Sequence, residues 1–227
     1  PVGQYGVGLV YLPQAAADRA AVQEAFARIV EEEGQQLLGW RAVRVCLDRP
    51  DFFKTQLRAI VRAAADFPVR VMFPMIATLD EWRAARDLLA EAAAEVRERG
   101  IPAPERIETG IMVEIPAAAL LADRFAAEVD FFSIGTNDLT QYTLAAERGH
   151  ARPRVAALSD ALHPAVLILI ERVATAARAH GKWTGVCGEL AGDPAAIPIL
   201  IGLGVDELSM SAPAIPRAKQ VIRALTL

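Results

Sequence analysis

Between Phe131 and Arg148 an apolar run stops at a glycine and polar groups arrive at once. The run is Phe131-Phe132-Ser133-Ile134, the stop is Gly135, and Thr136, Asn137 and Asp138 follow, with Arg148 further on. A short buried strand that ends in glycine and then presents an amide and a carboxylate is how α/β folds place chemistry at the carboxyl ends of their strands. The stretch Ile111-Met112-Val113-Glu114-Ile115-Pro116 has the same form, with Glu114 at the strand end and Pro116 placed to start a helix. Glu114 and Asp138 then read as neighbours at one mouth of a barrel, holding a divalent cation. Two carboxylates with an amide beside one of them make a hard oxygen site suited to Mg2+ or Mn2+. Such an ion keeps positions for the oxygens of an α-keto or enol acid and steadies the enolate that forms when an oxygen loses a group. The enolate needs a proton at its far carbon. Cys187 ends the run Trp183-Thr184-Gly185-Val186, and a thiol pKa near about 8.5 is within reach of neutral pH. Arg41, Arg44 and Arg148 are candidate clamps for a carboxylate and a phosphate.

Each residue also has a plainer reading. Glu114 or Asp138 alone suits a cap or an ion pair, and the pair favours a site because a buried carboxylate is costly without a partner. Cys187 alone suits a small buried apolar residue. Arg41 and Arg44 suit surface charges, and Asn137 suits a turn. Cys46 reads as packing. His150, His163 and His180 show no ligand spacing, and His180 before Gly181 reads as a cation at a helix end.

The elements that must position these groups alternate. Strands are expected at 7–11, 69–75, 111–115, 131–134, 183–187 and 207–211. Helices are expected at 20–33, 51–65, 78–99, 117–128, 139–146 and 164–180, after Asp193-Pro194, and at 216–224. Thr78-Leu79-Asp80-Glu81 is a capping box. This rhythm predicts a parallel sheet and a TIM-type (β/α)8 barrel in one domain, 1–227, although only six strands are counted where a closed barrel has eight. With 227 residues, 53% of them hydrophobic and 23% charged, a large core is within reach. The net charge of −4 and the lack of a basic tract argue against nucleic acid. Apolar runs shorter than a membrane span and the absence of a leader pattern argue against a membrane. Two cysteines in unrelated contexts make no disulfide framework, which fits a cytoplasmic setting.

Taken together the motifs carry more than their parts. They are Gly39-Trp-Arg-Ala-Val-Arg44, Phe73-Pro-Met75, Ile111-Met-Val-Glu-Ile-Pro-Ala-Ala118, the run from Asp130 to Leu144, Gly181 to Asp193, and Asp206-Glu-Leu-Ser-Met-Ser211. They closely resemble the C-terminal domain of the enzyme I family of the bacterial sugar phosphotransferase system. More distantly they resemble pyruvate phosphate dikinase and phosphoenolpyruvate synthase. The resemblance implies a barrel that binds phosphoenolpyruvate and Mg2+ and passes the phosphoryl group to a histidine on a separate N-terminal domain, then to a phosphocarrier protein. It implies metal ligation by Glu114 and Asp138, phosphate contacts from Asn137 and Arg148, a substrate contact from Arg41, protonation of the enolate to pyruvate by Cys187, and a homodimer. The alternatives are a domain of the dikinase or synthase type and a non-catalytic dimerisation or regulatory module of the same fold.

The pattern also departs from the family. Val10-Tyr11-Leu12-Pro13 stands where the family has Arg-Thr-Glu. The family's Arg-Thr-Leu-Asp strand end, glycine-rich loop and lysine find no match between Tyr11 and Leu38. The barrel is therefore expected to be incomplete there, without two phosphate-binding arginines and without the phosphohistidine domain. Two lost charge-assisted contacts weaken binding by roughly a hundredfold or more.

Overall fold

The structure is a computed structural model that describes residues 38–147 and 149–225. By contact these fall into two compact units, 38–75 with 80–108, and 76–79 with 109–225. The expected strand at 7–11 and the helix at 20–33 lie outside the described residues, as does Arg148.

In the first unit, apolar residues at helical spacing build the core. Helix α1 (Val43–Asp48) is followed by α2 (Pro50–Ala63), strand β1 (Arg70–Phe73) and α3 (Leu79–Glu98). Phe53, Leu57 and Val61 share one face of α2 and are buried. The Phe53 ring meets Phe73 edge-on at 6.1 Å, and Phe73 meets Trp82 of α3 at 5.9 Å. Such edge-to-face pairs add to the burial of aromatic area. Outside this core, Glu95 of α3 takes Lys54 at 2.9 Å and Arg58 at 2.7 Å, both from α2. Helix α3 starts directly after Thr78, as the capping box predicts, and ends before Gly100, whose φ of +70 suits the left-handed residue past a helix end.

The second unit is a parallel sheet with helices on one face. Strands β2 (Glu108–Val113), β3 (Phe131–Gly135), β4 (Trp183–Cys187) and β5 (Glu207–Leu208) lie side by side in that order. Between them run α4 (Pro116–Leu120), α5 (Ala122–Ala126), α6 (Thr136–Leu144), α7 (Pro153–Ala156), α8 (Pro164–Ala179) and α9 (Ile197–Gly202), and α10 (Ile215–Ala224) follows β5. Five strands of the (β/α) barrel type are thus present among the described residues, one per expected run from Val69 onward. Register sorts the faces. Val113, Ile134, Val186 and Leu208 stand abreast, and Ile111 pairs with Phe132, which pairs with Thr184. This apolar face meets α8, whose Val166, Ile170, Val173 and Ala177 recur at helical spacing and are buried.

Two aspartates repeat one device at the amino ends of the strands. Asp130, just before β3, accepts from Thr109 N at 2.8 Å and returns its own N–H to Thr109 O at 2.8 Å. Asp206, just before β5, does the same with Thr184, at 2.8 and 2.9 Å. Each side chain satisfies a strand-end donor and holds the entering strand in register.

Helix α1 forms where no helix was expected, and other helix bounds also differ from expectation. The run expected as one helix over 117–128 breaks at Leu121 into α4 and α5. Residues 153–156, outside every helix and strand expected above, form α7. Helix α6 starts at Thr136, three positions before Leu139, because Gly135 ends the strand and caps the helix at once.

Candidate active site

The sheet's other face carries the polar groups at its carboxyl end. Gly135 pairs with Cys187. One step beyond Val113 and Leu208, the same register sets Glu114 abreast of Gly135 and Ser209 abreast of Cys187. Residues abreast in a parallel sheet share a face, so an acid, a bare glycine, a thiol and a hydroxyl form one row. The row below it is Met112, Ser133, Gly185 and Glu207. Glycine at 135 keeps the row open. A Cβ there would stand 3.0 Å from Met112 Sδ and 3.2 Å from Glu114 Cβ.

Cys187 is half-buried, and its surroundings favour the neutral thiol. Its Sγ donates to Ile134 O at 3.4 Å and accepts from Ser133 Oγ at 3.5 Å. Burial pushes the thiol's pKa up, and the carboxylates of Glu114 and Glu207 push the same way, while the Ser133 hydroxyl acts against them. A thiol that stays protonated at neutral pH is fitted to give a proton and poorly fitted to attack as a thiolate.

The strand end and the helix start are locked together. Thr136 Oγ1 donates to Cys187 O at 3.0 Å, and Glu189 N donates to Asn137 Oδ1 at 3.4 Å. Gly188 sits between them with φ +102, and a Cβ there would lie 2.6 Å from Thr136 Oγ1 and 3.2 Å from Asn137 Oδ1. Asn137, whose oxygen accepts from Glu189 N, lines the cleft beside it. That cleft has a volume of about 470 Å³, and Asn137, Cys187, Gly188, Ser209 and Ser211 are among its lining residues. So the predicted amide and the predicted acid share one cavity. Glu114 and Asp138 are not among its lining residues.

Glu114 is 5% exposed. Asp138 is half-buried in the first turn of α6, where the helix dipole favours a carboxylate. Among the described residues no group of three or more His, Cys, Asp or Glu gathers as a metal cluster. Two carboxylates on neighbouring strand–helix units are nevertheless a donor set that Mg2+ accepts, since it is usually held by one or two carboxylates, with waters and substrate oxygens filling the rest. A carboxylate this far out of water needs a cation or donors about it, and Glu114 and Asp138 both have interaction partners in the fold.

The arginines divide. Arg44 is built into the first unit, with Nε on Glu81 Oε1 at 2.9 Å and Nη1 on Gly39 O at 2.9 Å. Arg41 precedes α1 in the same unit and is half-buried. His163 caps α8 by accepting from Ala165 N at 3.2 Å, and His180 ends that helix with Nε2 at 3.1 Å from Asp123. Residues the motifs did not single out are Ser133, Ser209 and Ser211. The alternation of β3 marks Ser133, because it lies two positions before Gly135 and hence on the same face. Ser209 and Ser211 carry no such signal, since β5 ends at Leu208.

The PEP-binding domain family of the PEP-utilising enzymes matches residues 16–227. Two curated relatives, both named phosphoenolpyruvate-protein phosphotransferase, come from Staphylococcus carnosus (strain TM300) and Priestia megaterium. The chain is 54% identical to the first over 194 residues and 53% identical to the second over 195. Each match covers 86% of this chain and 34% of the relative, so the chain spans about a third of the length of the curated relatives it matches. A solved citrate lyase from Burkholderia xenovorans LB400 is similar in fold, with a TM-score of 0.54 over 74% of this chain and 53% of that one, at 22% identity.

Proposed function

The chain belongs to the PEP-binding domain family of the PEP-utilising enzymes, and from that premise we propose that it binds phosphoenolpyruvate with Mg2+ and supports transfer of the phosphoryl group to a protein histidine. The observation that carries this reading is a half-buried thiol, hydrogen-bonded to Ser133 and Ile134, that lines one cleft with the Asn137 amide at the carboxyl ends of the strands. The curated relatives' shared name, a protein phosphotransferase acting from phosphoenolpyruvate, supports the same reading.

The reaction breaks the bond between phosphorus and the enol oxygen. The bonding pair stays on that oxygen, and the phosphoryl group is taken by a histidine nitrogen of a separate domain. The enolate left behind draws the proton from Cys187 Sγ onto its methylene carbon, giving pyruvate and a thiolate that regains a proton from water. Asn137 donates its amino group to the phosphate, and Arg148 is its second contact. Arg41 as a substrate-binding arginine rests on the resemblance. Glu114 and Asp138 hold Mg2+, which when bound supplies positive charge against the charge developing on the substrate's oxygens. Gly135 keeps a side chain from pressing on Glu114. The phosphohistidine domain, a phosphocarrier protein, a second copy of the chain and a cytoplasmic setting complete the proposal.

The test is isotopic. In the intact protein, pyruvate formed in deuterated water acquires deuterium at its methyl group through the acid. Cys187→Ala is expected to slow that incorporation by about 100-fold or more, the range for a general acid, while phosphoenolpyruvate still binds by calorimetry. Incorporation at the parent rate would refute the role of the thiol.

A further inference from the structure

Ser133 lies on the face of β3 that carries the polar row, one rung below Gly135. The Cys187 sulfur is suspended between two groups of that strand, accepting from Ser133 Oγ at 3.5 Å and donating to Ile134 O at 3.4 Å. To give its proton away, the thiol must release Ile134 O. It can do so without releasing Ser133, whose bond runs to the sulfur and not from it. Once the proton has gone, the sulfur is an anion that only accepts. The Ile134 carbonyl then faces it with the wrong sign, and the carboxylate of Glu207 on β5 opposes its charge. The Ser133 hydroxyl is the side-chain donor placed to meet it. Hydrogen bonds to charged groups are the stronger kind.

We propose that Ser133 is a positioning residue for Cys187, its hydroxyl holding the sulfur throughout proton transfer and stabilising the thiolate that remains when the enolate carbon takes the proton. The S–H bond breaks, the C–H bond forms from the enolate's π pair, and the negative charge moves from the enolate to a sulfur already hydrogen-bonded. This rests on the reading of Cys187 as the acid.

The experiment uses the intact protein, with deuterium incorporation into the pyruvate methyl as readout and calorimetric binding of phosphoenolpyruvate beside it. Ser133→Ala is expected to slow incorporation by about tenfold or more, as fits the loss of one bond to a charged group, with binding unchanged. Ser133→Thr keeps a hydroxyl on a strand that tolerates β-branching, and it is expected to restore most of the rate. Parent-rate incorporation in Ser133→Ala overturns the inference. So does an equal loss in Ser133→Thr, which would assign the effect to packing. Cys187→Ala separates the two levels. If incorporation survives in it, the acid reading has failed. If it is lost there and untouched in Ser133→Ala, the role of Ser133 alone has failed.

Discussion

At Cys187, burial and the carboxylates of Glu114 and Glu207 oppose ionisation, with the Ser133 hydroxyl pulling the other way. The net shift is upward, so the folded protein holds this proton more tightly than the unfolded chain. The sign follows from linkage. Below the unfolded thiol's pKa, near about 8.5, the group does not affect stability. As pH rises above it, the unfolded state loses the proton first and stability falls until the folded pKa is passed. Urea unfolding of the parent and of Cys187→Ala across that window is therefore expected to show a steeper alkaline loss in the parent; parallel curves would contradict it. Gly188 is the second residue whose chemistry is forced. With φ +102 and a Cβ position 2.6 Å from Thr136 Oγ1, Gly188→Ala meets both backbone strain and a clash. It is expected to cost about 3 kcal/mol or more by urea denaturation. The atoms displaced belong to Thr136 and Asn137, so loss of phosphoenolpyruvate affinity should accompany it.

Among elements, the sheet separates its duties by end. The aspartates before β3 and β5 work at the amino ends, and the polar row works at the carboxyl ends. Asp130→Ala deprives Thr109 N of its acceptor, and the expected loss is about 1–2 kcal/mol, read from the urea midpoint with ligand affinity unchanged. A drop in affinity as large as the drop in stability would show that the two ends are not independent. This division also explains what could be read in advance. Strands were legible because their apolar runs are short and end in glycine, proline or a polar group, as at Gly135 and Pro116. Helices α2, α3 and α8 were legible because the apolar spacing is sustained and the ends carry a capping box, Gly100 or Gly181. The start of α6 was not, because Gly135 brings no capping side chain and Thr136, Asn137 and Asp138 look like a turn. That error bears on the site, since it moves Asn137 and Asp138 from a loop into the first helical turn. The break at Leu121 has no marker either, because alanines on both sides suit either one helix or two. Which groups share a cleft depends on register between distant strands, and a single chain read in order does not display it. Ser133 illustrates the point, since its partner sulfur lies on another strand.

At the scale of the whole molecule, charge decides how an anionic substrate can be held. The chain carries a formal net charge of −4, and the carboxylates of Glu114, Asp138, Glu189 and Glu207 stand on the strand ends or just beyond them. A ligand bearing a carboxylate and a phosphate therefore meets a repulsive surface unless a cation intervenes. If Glu114 and Asp138 hold that cation, phosphoenolpyruvate must stabilise the protein with Mg2+ present and little without it. Ligand present at about 100 times its dissociation constant adds about 2.7 kcal/mol to the folded state, which for a protein of this size raises the melting temperature by several degrees. Thermal unfolding of the intact protein with phosphoenolpyruvate is expected to show that rise with Mg2+ and to lose most of it in EDTA. Glu114→Gln keeps the shape and removes the charge, and it should behave with Mg2+ as the parent does in EDTA. A rise that survives both EDTA and the Glu114→Gln substitution would mean that arginines alone carry the substrate and that the two acids serve the fold.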